Sequence, residues 1–189
     1  TEAEFDLFRK HIDFALSSIR NTDGLVKLIY QMIDDHHEKV DGTGYPSGKQ
    51  DQEISVYGKM AAIIDAYDAM TSEQQHKASM GPVKACQQLM KESGLAFDKD
   101  LVRTFVARLG SVPAGTCVSL SNGRVGFVLT LNKAQQPDLV RQVYSLRQKT
   151  FIPVVDVSVD KDSSRGVDVS IEKEIDPQLY SIKFIDHLL

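Results

Sequence analysis

Apolar residues in the first 110 positions fall at helical spacing. Phe5, Phe8, Ile12, Ala15 and Ile19 recur at three- and four-residue steps, which predicts one helix with these residues on one face. Asn21-Thr22-Asp23-Gly24 breaks that pattern. Leu25, Leu28, Ile29, Met32 and Ile33 form a second stripe, and His36 and His37 extend it. The stretch from about Asp41 to Gln52, rich in Gly, Pro and Ser, predicts a loop. A third helix carries Ile54, Tyr57, Ala61, Ile64, Asp65 and Asp68 on one side. Pro82 suits the first position of a fourth helix, which ends before Gly94. Asp98 is placed to cap a fifth, Lys99 to Leu109, stopped by Gly110.

After Val112-Pro113-Ala114-Gly115 the period changes to two. Thr116 to Leu120 and Arg124 to Leu131 read as strands joined by a turn at Ser121-Asn122-Gly123. Further strand-like runs are Leu139–Leu146, Phe151–Val159 and Val167–Ile171, and Asp176 to Leu189 predicts a closing helix. The expected fold class is therefore α+β, with a helical domain over residues 1–110 and a small β-rich domain over residues 111–189. Charge follows the same division: the acidic excess lies in the first part, and the second is neutral.

The chain has 189 residues, 42% of them hydrophobic and 25% charged, which is ordinary for a globular core. A net charge of −4 argues against a broad nucleic-acid surface, which needs clustered Lys and Arg. No apolar run approaches the length of a membrane span. The acidic, amphipathic opening does not resemble a secretory signal. Cys86 and Cys117 stand in unrelated contexts, which suggests neither a disulfide framework nor a Cys-ligated metal, and suits a reducing cytosol.

The candidate chemistry lies in the first part, with four of the five histidines. His36 and His37 continue a buried stripe, so they are expected to point inward and to need metal ions or carboxylates as partners. Asp65 and Asp68 are expected to face the interior with Ala61 and Ile64, where carboxylates are rare unless paired or metal-bound. His11 lies beside Phe8 and Ala15 on the first helix. Imidazoles and carboxylates together suit divalent first-row metals such as Fe, Mn or Zn. Each feature alone also fits a half-buried helix histidine, a solvated pair, or aspartates that cap and salt-bridge. The glycines of Asp41-Gly42-Thr43-Gly44-Tyr45-Pro46 suit a backbone held in unusual conformations.

The strings HHEKVDGTGYPSG and IIDAYDAMTS resemble, in order and spacing, the signature of the HD-GYP family. His11, 25 residues before His36, matches the single histidine of the family's preceding helix, and FDKDLVRTFVARLG is similar to its closing helices. The resemblance covers residues 1 to about 110. It implies an all-α helical bundle, here truncated at its N-terminus, because the family's leading His-Asp pair falls before Thr1. It implies a bacterial, cytoplasmic phosphodiesterase that hydrolyses cyclic di-GMP to linear pGpG or GMP with two or three divalent metals, Fe or Mn.

By position, the resemblance makes His11, His36, His37 and Asp65 metal ligands. Asp65 and His37 are then the catalytic pair, and Lys77, Tyr45, Gly44 and Pro46 contact the substrate. Glu38 and Asp41 brace the motif. After Thr71-Ser72 the family reads D-R-P-Y-R, whereas this chain has Glu73-Gln74-Gln75-His76-Lys77. The missing arginine at Gln74 favours the alternative of a degenerate, non-catalytic module that binds cyclic di-GMP or a partner. The GYP loop is the expected dock for a GGDEF-type protein, and the β-rich part could support a homodimer.

Overall fold

The computed structural model describes the chain except residues 1, 23, 25, 73–78, 160–168 and 188–189, and except the side chains of residues 2, 3 and 185. The fold class is α+β. The chain divides into two compact units, residues 1–77 with 87–104 and residues 78–86 with 105–189.

In the first unit, α1 (Glu2–Arg9) and α2 (His11–Ile19) replace the single expected helix, with Lys10 between them. α3 (Lys27–Asp35) packs against α2 and α4 (Val56–Thr71). Ile12 is buried on α2, and the Tyr30 hydroxyl of α3 donates to the Ile19 carbonyl at 3.1 Å. Ser55 caps α4 by accepting the Gly58 N–H, which satisfies one of the free amides of the first turn.

The buried face of α4 differs from the expected one. Gly58, Ala62 and Ile63 are buried, whereas Tyr57, Ile64, Asp65 and Asp68 are exposed. The reason lies at Gly58, where an added Cβ would collide with the Cβ of Asp35. The helices approach through their smallest residues, so the packing face is set by Gly58 and Ala62 rather than by the bulkier apolar side chains.

α5 (Pro82–Glu92) and α6 (Lys99–Leu109) lie where the pattern predicts them. Asp98 Oδ1 accepts the N–H groups of Asp100 and Leu101, both at 3.0 Å, and Gly110 follows α6 with φ +82.

The second unit holds a five-stranded antiparallel sheet of order β4-β3-β2-β1-β5. The strands are β1 (Cys117–Leu120), β2 (Arg124–Leu131), β3 (Pro137–Ser145), β4 (Thr150–Ser158) and β5 (Ile171–Glu174). Cys117, Val125, Phe127 and Val143 form one buried cluster, and Val118, Leu120, Val128 and Val140 form another. The two sets interleave along the strands, as the side-chain period of two requires when both faces are covered.

Two expectations fail here. The strand placed at Val167–Ile171 begins only at Ile171, and residues 167 and 168 lie outside the described residues. The closing helix is absent among the described residues of that segment. Two 3-10 turns stand in its place, Pro177–Tyr180 and Phe184–His187, separated by Ser181 at φ 56. Ile182 is buried on the β1–β3 cluster with Phe184 and Tyr180 packed beside it, and that docking outweighs the weak helical periodicity of a short tail.

Candidate metal centre

Two elements, the start of α2 and the end of α3, bring three imidazoles together. His11 opens α2, His36 caps the C-terminus of α3, and His37 follows it. One ring nitrogen from each lies within 4.8 Å of the others. The ring centroids of His36 and His37 are 4.1 Å apart, and those of His11 and His37 are 5.0 Å apart.

Backbone carbonyls orient two of the rings. His11 Nδ1–H donates to the Phe8 carbonyl and His36 Nδ1–H to the Ile33 carbonyl, each at 2.7 Å. A carbonyl only accepts, so in the neutral rings the lone pairs are both on Nε2. Those two Nε2 atoms face each other at 3.3 Å. Two acceptors aimed at one another need a shared proton or a metal ion between or beside them, and histidines oriented in this way are suited to ligate. The His37 imidazole is pushed down to about 4, first by burial and then by the charges of His36 and His11. It is neutral at pH 7, the form that ligates.

Asp65 meets this cluster from α4, with Oδ2 3.6 Å from His37 Nδ1. It is half exposed rather than buried. Asp68 is elsewhere: its Oδ1 accepts the Ser72 hydroxyl at the end of α4. The buried carboxylates are instead Asp35 and Glu38, each 2% exposed. Asp35 Oδ1 pairs with Lys49 Nζ at 2.6 Å, and its Oδ2 accepts the Ser55 N–H at 2.9 Å. Burial alone would raise the Asp35 carboxyl, but the hydrogen bonds from Lys49 and Ser55 outweigh it and hold it below the ordinary value. Glu38 accepts the N–H groups of Ser47 at 2.7 Å and Lys49 at 3.0 Å, and so ties the glycine loop to the end of α3.

The loop lies directly on the histidine segment. A Cβ at Gly44 would strike the backbone of His37, Glu38 and Lys39, and the Tyr45 N–H donates to the His37 carbonyl at 3.1 Å. Asp41 Oδ1 accepts both the N–H and the hydroxyl of Thr43, which closes the turn that leads there. This close approach stacks the Tyr45 ring on His37, centroids 4.7 Å apart, with Pro46 next in the chain. Lys77, with Gln74 and His76, lies outside the described residues.

Sequence reasoning missed Arg9. Its guanidinium sits over the rings of Phe5 and Tyr45, 4.5 and 4.9 Å from their centroids. The one available signal was its place four residues after Phe5 and two before His11. It also missed the Asp35–Lys49 pair, because periodicity along one helix does not report a partner 14 residues away.

Residues 1–101 match the sequence model of the HD domain family. The chain belongs to that family, as an HD-GYP member. A cyclic di-GMP phosphodiesterase of Pseudomonas aeruginosa is 34% identical over 160 residues, which are 83% of this chain and 38% of that protein. A cyclic di-GMP phosphodiesterase of Thermotoga maritima is 31% identical over 56% of this chain and 29% of its own length. A 3'3'-cGAMP-specific phosphodiesterase of Vibrio cholerae is 28% identical over 58% of this chain and 23% of its own length. The chain thus spans well under half the length of these relatives. Among the described residues no helix is long and apolar enough to cross a membrane.

Proposed function

We propose that the chain carries the metal-binding face of a phosphodiesterase that hydrolyses cyclic di-GMP to pGpG or GMP. The observation that supports this most directly is the pair of Nε2 atoms of His11 and His36, oriented towards one another by backbone carbonyls beside a neutral His37. His11, His36, His37 and Asp65 are the ligand set in this reading, and Fe or Mn, two or three ions, is the complement. A divalent ion held there would neutralise a phosphodiester and lower the pKa of a bound water.

The protein's own part is positional. The Phe8 and Ile33 carbonyls take the Nδ1 side of each ring and leave Nε2 turned towards the ion. Asp65, beside His37, supplies the negative charge that three neutral imidazoles lack. His37 and Asp65 are the catalytic pair of this proposal, carried over by position, with Asp65 Oδ2 3.6 Å from His37 Nδ1. Gly44, Tyr45 and Pro46 form the substrate-facing loop, and Lys77 is carried over by position to a phosphate of the ligand.

The setting we infer is bacterial cytoplasm, with cyclic di-GMP as ligand and no nucleic-acid partner. A GGDEF-type protein at the GYP loop and a homodimer supported by the β-rich region complete this reading.

The test is turnover. The protein carrying this chain, purified anaerobically and loaded with Fe(II) or Mn(II), is incubated with cyclic di-GMP, and the products are separated by chromatography. Linear pGpG or GMP is the expected result, lost in His36→Ala. Tight binding without any product would instead support the non-catalytic module.

A further inference from the structure

Arg9 is a cation that the described structure holds against the loop of the histidine cluster without an ion pair among the described residues. Its guanidinium is clasped by Phe5 and Tyr45, whose rings meet edge to face at 5.8 Å. The Tyr45 ring stacks in turn on His37, so the guanidinium lies one aromatic ring away from the cluster. No carboxylate among the described residues pairs with Arg9. It is also exposed, so its donors are open to solvent.

An arginine that served only the C-terminal dipole of α1 would need no aromatic clasp. The clasp fixes a planar fork of donors in advance, and such a fork matches two oxygens of a phosphate. A cyclic dinucleotide carries two phosphodiesters. When one occupies the histidine cluster, the other needs cations of its own, a role that Arg9 would share with Lys77.

We propose that Arg9 binds the non-scissile phosphate of the cyclic dinucleotide and so selects substrates with a second phosphate. This rests on the phosphodiesterase reading above. Phe5 and Tyr45 are positioning residues for it: they hold the guanidinium flat and keep it from folding onto nearby acids. The short link from Arg9 to His11 sets the spacing between the second phosphate and the cluster.

The experiment uses the metal-loaded protein, with Arg9→Gln and Arg9→Lys, and two substrates. Cyclic di-GMP has the second phosphate; bis(p-nitrophenyl) phosphate has one only. Arg9→Gln is expected to raise KM for cyclic di-GMP by roughly 10- to 100-fold, as loss of a hydrogen bond to a charged group does. The change in kcat should be much smaller, and the penalty much weaker for the single diester. Arg9→Lys should recover part of the loss.

Equal penalties on both substrates would overturn the proposal and leave Arg9 as a prop for the cluster. So would an unchanged KM for cyclic di-GMP. Failure of the phosphodiesterase reading looks different: the wild type then cleaves neither substrate. In that case equilibrium dialysis of cyclic di-GMP decides, with weaker binding by Arg9→Gln supporting the contact and equal binding overturning it.

Discussion

At the scale of single residues, two glycines and one carboxylate carry most of the meaning. Gly44 has to be glycine because a Cβ there meets backbone, which cannot rotate away as a side chain could. Gly58→Ala poses a sharper question. Alanine improves helix propensity by about 0.8–1.0 kcal/mol, while overpacking typically costs about 1–3 kcal/mol. The new methyl would strike the Cβ of a buried, doubly hydrogen-bonded Asp35, so overpacking wins. Gly58→Ala is expected to be destabilising by about 1–2 kcal/mol in urea denaturation; a gain in stability would mean that α3 and α4 separate easily. At Asp65 the charge is what matters. Asp65→Asn keeps the volume and removes the anion beside His37. Turnover of cyclic di-GMP is expected to fall roughly 100-fold or more, since even outer-shell changes around a metal cost about 10–100-fold, with circular dichroism unchanged. Near-normal turnover would remove Asp65 from the ligand set.

At the scale of elements, the Asp35–Lys49 pair joins the end of α3 to the glycine loop and, through the Ser55 N–H, to the start of α4. Burial alone would lower the Lys49 ammonium, but Asp34 and Asp35 push it up to about 12. The sign follows. A raised lysine contributes stability that is full below its ordinary value of about 10.4 and is lost as pH climbs through 12. A depressed Asp35 contributes stability that is full above the ordinary carboxyl range and is lost as pH falls through its lower folded value. Asp35→Asn is therefore expected to cost about 1.5–3 kcal/mol at pH 7, as for a hydrogen bond to a charged group, and its deficit against the wild type should shrink in strong acid. Denaturation curves at pH 7 and pH 3 check both statements, and a deficit independent of pH would refute the linkage. This pair also shows where sequence reading stops. Periodicity located α3, α5, α6 and the first four strands, because each carries its signal within its own residues. It brought His36 and His37 to the right helix end for the same reason. It misjudged the face of α4, because the choice between Ala61/Ile64 and Gly58/Ala62 is made by Asp35 on another helix. It misjudged the tail, because Ile182 answers to the sheet and not to its neighbours in sequence. Arg9 escaped because its clasp closes only when the loop folds over His37.

At the scale of the whole molecule, His11, His36 and His37 sit in one compact unit and the sheet in the other. His11 belongs to α2, His36 and His37 to the end of α3, and Asp65 to α4, so one ion held by them would fasten elements that are far apart in sequence. Ligand binding to the native state alone stabilises it by RT ln(1 + [L]/Kd), about 2.7 kcal/mol at a hundredfold excess over Kd. For a protein of this size each kcal/mol moves the midpoint by about 2–4 °C. Mn(II) at that excess is therefore expected to raise the thermal midpoint by about 5–10 °C, reversibly on adding a chelator. His36→Ala removes one of the two facing Nε2 atoms and should abolish most of the shift. A calorimetric scan with and without Mn(II), on wild type and variant, makes the comparison. If the sheet unfolds as a separate transition, that transition should not respond, because it contributes none of the candidate ligands. An equal Mn(II) shift in His36→Ala would mean that the ion binds somewhere other than the cluster, and the metal-centre reading would fall with it.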